Sequence, residues 1–162
     1  MDTDLNMEPN SLYILLSDRQ GPGYSFHWAL YLAKSSTHGE IFHLINPNNP
    51  TVWHVETKHI NETSQSRELV LALKLGVLEP VLHGALPERL GQLAIEYSTR
   101  FHEPINCRVW VKEALFMLDD QGFVDLVDSV DAVEAEASRL ASRNKSRGTR
   151  TVSVSGGSHN VW

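Results

Sequence analysis

Short apolar runs separated by turn formers fill the first half of the chain, and apolar positions at helical spacing fill the second. Residues 12–16 (LYILL) are followed at 18–23 by DRQGPG and at 26–33 by FHWALYLA, an order that predicts strand, turn and strand. After the polar stretch 35–39 come EIFHLIN at 40–46, a breaker run from Pro47 to Pro50, and VWHVETKHI at 52–60. In the last of these, Val52, His54 and Glu56 alternate with Trp53, Val55 and Thr57, the period of a strand whose two faces differ. These predict successive antiparallel strands. LVLALKLGVL at 69–78 fits a strand or a buried helix by periodicity, and Gly76 and the nearby Pro80, which cut it short, favour a strand.

In the second half Pro87 stands at a plausible first helical position, with Leu90, Leu93, Ala94 and Tyr97 at helical spacing behind it. A second helix is expected from about Asn106, because Cys107, Val111, Ala114, Leu115 and Leu118 lie on one stripe and Gly122 can stop it. A third is expected from about Ser129 to Asn144, with Asp131 and Glu134 early and Arg139 and Arg143 late, the order the helix dipole favours. Strands first and helices later predict one α+β domain over 11–144, with an antiparallel sheet packed against helices. Residues 1–10 read as a flexible arm, and 145–162, rich in Ser, Gly and Arg, as a flexible tail.

Composition narrows the function classes. With Lys+Arg 14 against Asp+Glu 20, the formal charge of -6 has the wrong sign for a protein that grips nucleic acid, and the basic residues from Arg139 to Arg150 read as a solvated helix end. The start is acidic where a signal peptide needs basic residues, and the longest apolar run is about half of the ~20 residues a spanning helix requires. A cytoplasmic location with no membrane anchor is the expectation. One cysteine against His 8 rules out an internal disulfide and a cysteine-rich zinc site. His54-Val55-Glu56 matches one half of a zinc deaminase signature, but the P-C-x-x-C half cannot occur in a chain with a single Cys. No metal or other cofactor is expected. Trp28, Trp53 and Trp110 are expected as core aromatics, one or two of which could line a groove.

Cys107 follows Asn106, a good N-cap type, so free N–H groups and the positive end of the helix dipole would favour its thiolate. The dipole is worth about 0.3–1 kcal/mol, less than the ~1.36 kcal/mol of one pKa unit, so a reactive thiol needs a further partner such as an imidazole. The same position, on the apolar stripe with Val111 and Leu118, also suits a core cysteine. His27 and His43 each lie inside an apolar strand. If 35–39 makes a hairpin and Ala29 pairs with His43, both imidazoles share one face as diagonal neighbours, about 7–8 Å apart. One could then act as base and the other orient it.

The stretch 24–32 (YSFHWALYL), then Gly39 to Leu44 (GEIFHL), then Asn106-Cys107 opening a helix with Trp110-Val111 and Ala114-Leu115, resembles the circularly permuted papain-like thiol enzymes. The pattern is most similar to the lecithin:retinol acyltransferase-like proteins within the wider NlpC/P60 superfamily. The resemblance implies Cys107 as nucleophile, His27 as base and His43 as orienting residue, with Asn46 and Glu56 as further candidates for that third role. It also makes Tyr24, Trp28, Asn106 and Trp110 candidates for the substrate or oxyanion side. The lipid-acting members follow Asn-Cys with a Glu-His-Phe type sequence where this chain has Arg108-Val109-Trp110, and their hydrophobic C-terminal anchor has no counterpart here. The resemblance thus implies a cysteine-dependent hydrolase or acyltransferase acting on an amide, ester or thioester of a small-molecule or peptide substrate. A permuted peptidase of deubiquitinase-like type, and a binding module on the same fold with a structural Cys107, are the alternatives.

Overall fold

In the computed structural model the structure describes residues 6–20, 25–61 and 68–158. Five strands come first: β1 Ser11–Asp18, β2 Phe26–Ala33, β3 His38–Ile45, β4 His54–Asn61 and β5 Leu69–Val77. Helices α1 Pro80–His83, α2 Ala85–Gly91, α3 Cys107–Asp120 and α4 Val130–Arg147 follow, and β6 Thr151–Val154 closes the order. The sheet runs β4-β3-β2-β1-β5-β6, antiparallel throughout except for the parallel β5–β6 pair. The protein is therefore an α+β domain built on a six-stranded, mostly antiparallel sheet. Among the described residues no helix is long and apolar enough to cross a membrane.

Alternation divides the sheet into two chemically distinct faces. Leu12, Ile14 and Leu16 of β1, Phe26, Trp28, Leu30 and Leu32 of β2, and Phe42 and Leu44 of β3 form one core with Cys107, Trp110, Val111, Ala114, Leu115 and Leu118 of α3 and Val133, Ala137, Leu140 and Ala141 of α4. The intervening positions Tyr13, Leu15, Ala29, Tyr31 and Ala33 form a second cluster with Met7, Leu69 and Ala72. Both helices satisfy the apolar spacing read from the sequence, and both start on a side-chain cap: Asn106 Oδ1 accepts from the Val109 N–H and Ser129 Oγ from the Ala132 N–H.

Several boundaries differ from expectation. The helix expected to open at Pro87 is α2, with Pro87 inside its first turn, where the missing N–H has no helical partner to lose. Leu93 packs against the core outside any helix and Tyr97 is 53% exposed, so the apolar spacing there serves a loop. The expected flexible tail is instead structured as far as residue 158: α4 continues to Arg147, Gly148 ends it at φ 64, and β6 pairs with β5. The device is polar and hence invisible to a hydrophobic pattern. Asn144, 2% exposed, donates from Nδ2 to the Val70 carbonyl at 2.8 Å and to Thr151 Oγ1 at 2.9 Å, tying the end of α4 to the sheet. The expected arm is also packed over 6–10, since Met7 is buried, the Glu8 N–H donates to Tyr13 Oη, and Lys74 Nζ donates to Glu8 Oε2.

Gly39 stands where β2 and β3 leave no room for a side chain. It pairs with Ala33, and a Cβ at this position would lie 2.4 Å from the Tyr31 ring and 2.5 Å from the Leu32 carbonyl oxygen. Tyr31 is fully buried and the carbonyl is backbone, so neither can yield easily. Gly39→Ala is therefore expected to cost about 1–3 kcal/mol, as overpacking of a dense interior does. A urea unfolding midpoint equal to that of the parent chain would contradict this.

Candidate functional site

The printed pairs of β2 and β3 run from Ala33 with Gly39 to Leu30 with Phe42, and the next step along the same register sets Ala29 opposite His43. His27 and His43 consequently stand diagonally on one face. Their rings meet edge to face with centroids 5.0 Å apart, and His27 Nε2 lies 2.8 Å from His43 Nδ1. On the next strand Glu56 is directly opposite His43, and Glu56 Oε1 is 2.7 Å from His43 Nε2. Three strands thus present a line of imidazole, imidazole and carboxylate.

The order of hydrogen bonds follows from the carboxylate, which can only accept. His43 Nε2–H donates to Glu56, so in a neutral His43 Nδ1 is the acceptor and takes the Nε2–H of His27. His27 is left with a bare Nδ1, a proton acceptor. Hydrogen bonding to His43 lowers the Glu56 pKa, which keeps the carboxylate ionised. Burial lowers the pKa of His27 to about 4, with the positive charges of His43 and Arg19 adding to the effect. His27 is therefore neutral at physiological pH.

This depression makes stability depend on pH. Between His27's ordinary pKa of 6.5 and about 4 the unfolded chain binds a proton that the folded protein refuses, so stability falls as pH drops through that window. Above it, both states are neutral and the contribution is constant. The loss should reach on the order of 3 kcal/mol by the lower end, at ~1.36 kcal/mol per pKa unit. Urea unfolding between about pH 7 and pH 4.5 checks this: His27→Gln should flatten the slope, and an unchanged slope would contradict the assignment.

Cys107 occupies the first position of α3 and is 3% exposed. Its sulfur accepts a hydrogen bond from Arg19 Nη2 at 3.2 Å. A cleft of about 350 Å³ opens beside it. Arg19, Ser25, Phe26 and Trp28 supply one wall from the β1–β2 hairpin, Asn106, Cys107 and Arg108 supply another from the start of α3, and Ser138 of α4 completes the lining. Arg108 is held by Glu103 and Glu134. The Glu103 bond raises its pKa against the opposing effect of burial, and Glu134 raises it further, so it stays charged. One turn on, Lys112 is 3% exposed, with Asp131 at 2.7 Å, Glu134 at 3.0 Å and the Phe101 ring centroid at 4.4 Å. Burial works against the Lys112 charge, but the hydrogen bonds to Asp131 and Glu134 outweigh it and hold its pKa above the ordinary value.

The structure thus joins His27 to His43 and gives Cys107 a guanidinium partner. No hydrogen bond links His27 to Cys107 among the described residues. Phe26 and Trp28, the neighbours of His27 in β2, line the cleft with Cys107 and belong to the core under α3, whereas His27 belongs to the alternate set. Glu56, one of the further candidates for the orienting role, is the residue bonded to His43; Asn46 instead donates to the Pro50 carbonyl and shapes its turn. Trp28 lines the cleft, and Asn106 both lines it and caps α3. Trp110 is fully buried in the core with no hydrogen-bond partner for its indole N–H among the described residues, and it does not line the cleft. Tyr24 lies outside the described residues. Arg19 and Ser138 carried no signal in the sequence, because a residue in a turn and a serine within a helix acquire meaning only once the fold sets them beside Cys107.

Comparison with models of known families, with curated proteins and with solved structures finds no match to this chain.

Proposed function

We propose that the domain is a permuted papain-like thiol enzyme, a cysteine-dependent hydrolase or acyltransferase with Cys107 as nucleophile and His27 as base. The observation that carries this reading is the polarised line Glu56–His43–His27, which ends on an open Nδ1 in a neutral imidazole. Such a line serves no evident packing purpose, and it is the arrangement a general base requires. The cleft beside Cys107, walled by the two neighbours of His27, supplies room for a substrate.

In this scheme the Cys107 thiol gives up its proton to His27 Nδ1, and the thiolate attacks the carbonyl carbon of an amide, ester or thioester. Backbone N–H groups at the start of α3 stabilise the oxyanion that forms. As the tetrahedral species collapses, the bond to the leaving group breaks and His27 returns the proton to it, leaving an acyl thioester on Cys107. Water or an acceptor nucleophile then attacks that thioester, His27 takes its proton, and the proton goes back to sulfur as the acyl group departs. With a pKa of about 4, His27 is neutral before attack and a strong donor to the leaving group once protonated, but a weak base toward the thiol, so formation of the thiolate relies on Arg19 as well. Arg19, donating to Sγ, stabilises the thiolate. Protonated His43 or Glu56 would reverse the polarity of the line, so both act by orienting His27.

A second reading, a binding module in which Cys107 is structural, is favoured by one observation: the residue is 3% exposed and its sulfur is bonded to Arg19 rather than to an imidazole. Alkylation separates the two, and the reading is clean because the chain has Cys 1. The enzyme reading expects Cys107 to react with iodoacetamide at about pH 7 at least about tenfold faster than free cysteine, and to slow in His27→Ala, as activation by an adjacent base demands. A rate no faster than free cysteine, or one indifferent to His27→Ala, would establish the binding module instead.

A further inference from the structure

We infer that the cleft beside Cys107 selects a small substrate carrying a carboxylate or phosphate group, which the Arg19 guanidinium engages next to the reacting sulfur. This rests on the thiol-enzyme reading and names the substrate class of that site. Two arginines border the cleft, and their states differ. Arg108 is consumed by Glu103 and Glu134. Arg19 has no carboxylate partner among the described residues, although Asp18 is its neighbour in sequence, because Asp18 pairs with Lys145 at 3.0 Å. A guanidinium offers five N–H donors in a planar fork, and Arg19 spends one of them, an N–H of Nη2, on a single bond to sulfur. The edge turned away from the sulfur has no partner among the described residues and can take two oxygens side by side, the geometry in which carboxylate and phosphate bind arginine most strongly.

The rest of the lining agrees. Ser25, Asn106 and Ser138 add polar groups, and the Asn106 side chain has its Oδ1 committed to the Val109 N–H, which leaves its Nδ2 as a donor. Phe26 and Trp28 supply the apolar wall. A space of about 350 Å³ with a cation beside the nucleophile suits a short acyl donor with a charged end better than a long hydrocarbon chain.

The test compares two reagents of the same size on the full chain, anionic iodoacetate and neutral iodoacetamide. The iodoacetate-to-iodoacetamide rate ratio for Cys107 should exceed that of free cysteine by about tenfold, should fall with added salt, and should return to the free-cysteine value in Arg19→Gln. Succinate and inorganic phosphate, added separately, should each slow alkylation if both oxygen geometries fit, and succinamide should not; protection by one alone identifies the group preferred. Fast alkylation with the ratio of free cysteine, and no protection by either anion, overturns the anion selectivity while leaving the thiol reading intact. Slow alkylation by both reagents overturns the thiol reading, and thermal shifts then decide the anion site: a shift with succinate or phosphate that Arg19→Gln abolishes keeps it, and no shift removes it. Far-UV circular dichroism of Arg19→Gln confirms that the variant is folded.

Discussion

On the proposed thiol-enzyme reading, replacing His27 by alanine should lower the acyl-transfer rate by about 10²–10⁴-fold, the usual contribution of a positioned general base. Glu56→Gln should cost less, because Glu56 is bonded to His43 and in that reading acts only by fixing which nitrogen of His43 carries the proton. A glutamine can still accept from His43 Nε2, but without the charge that enforces this direction, so part of the population would present the wrong His27 tautomer. The expected signature is a fall in kcat with little change in KM for both variants, larger for His27→Ala, with Cys107→Ala inactive. Equal losses in the two variants, or none in either, would contradict a relay that acts through His27. The measurement is turnover of a chromogenic ester or thioester carrying a carboxylate, followed across pH.

The second large effect concerns the charge cluster under the start of α3. Glu134, on α4, accepts from both Arg108 and Lys112, and Lys112 is almost wholly out of water. Glu134→Leu leaves that ammonium with the largely exposed Asp131 and with Glu103 at 3.7 Å, and should destabilise the fold by about 3 kcal/mol, the low end of the cost of removing one partner from a buried charge. Lys112→Met should cost far less, since Glu134 and Glu103 both keep Arg108 and the methionine fills similar space against Phe101. The asymmetry is the test, read from urea unfolding of the two variants. Comparable losses would show that the cluster contributes through packing and not through charge.

The strands were legible because alternation carries its own evidence: VWHVETKHI at 52–60 reads as a strand from its pattern, and β4 covers His54–Asn61. The cap of α3 was equally plain in Asn106, and the start of α4 in Ser129. So was the shared face of His27 and His43, since strand parity constrains it once the hairpin is accepted. What escaped was whatever depends on polar groups acting across long separations. Asn144 ordering the chain as far as residue 158 is one case, and Arg19 reaching Cys107 is another. A hydrophobic pattern records which residues seek burial, and it is silent on which donor will find which acceptor. The helix expected to run from Pro87 to Tyr97 failed for a related reason, because Gly91 ends α2 while Leu93 reaches the core from a loop.

The two halves of the site differ in how far apart their parts lie along the chain. The partners in the His27–His43 bond are 16 residues apart and those in the His43–Glu56 bond 13, both within neighbouring hairpins, while Arg19 and Cys107 are 88 apart. Short closures are made fast and long ones late, so the relay would form with the β2–β3–β4 meander before α3 docks. During synthesis the base would stand assembled and idle while the nucleophile was still being added. The thiol would gain its guanidinium partner and its cleft only after most of the domain had left the ribosome, so any reactivity the proposed site confers would wait until the sheet is there to contain it.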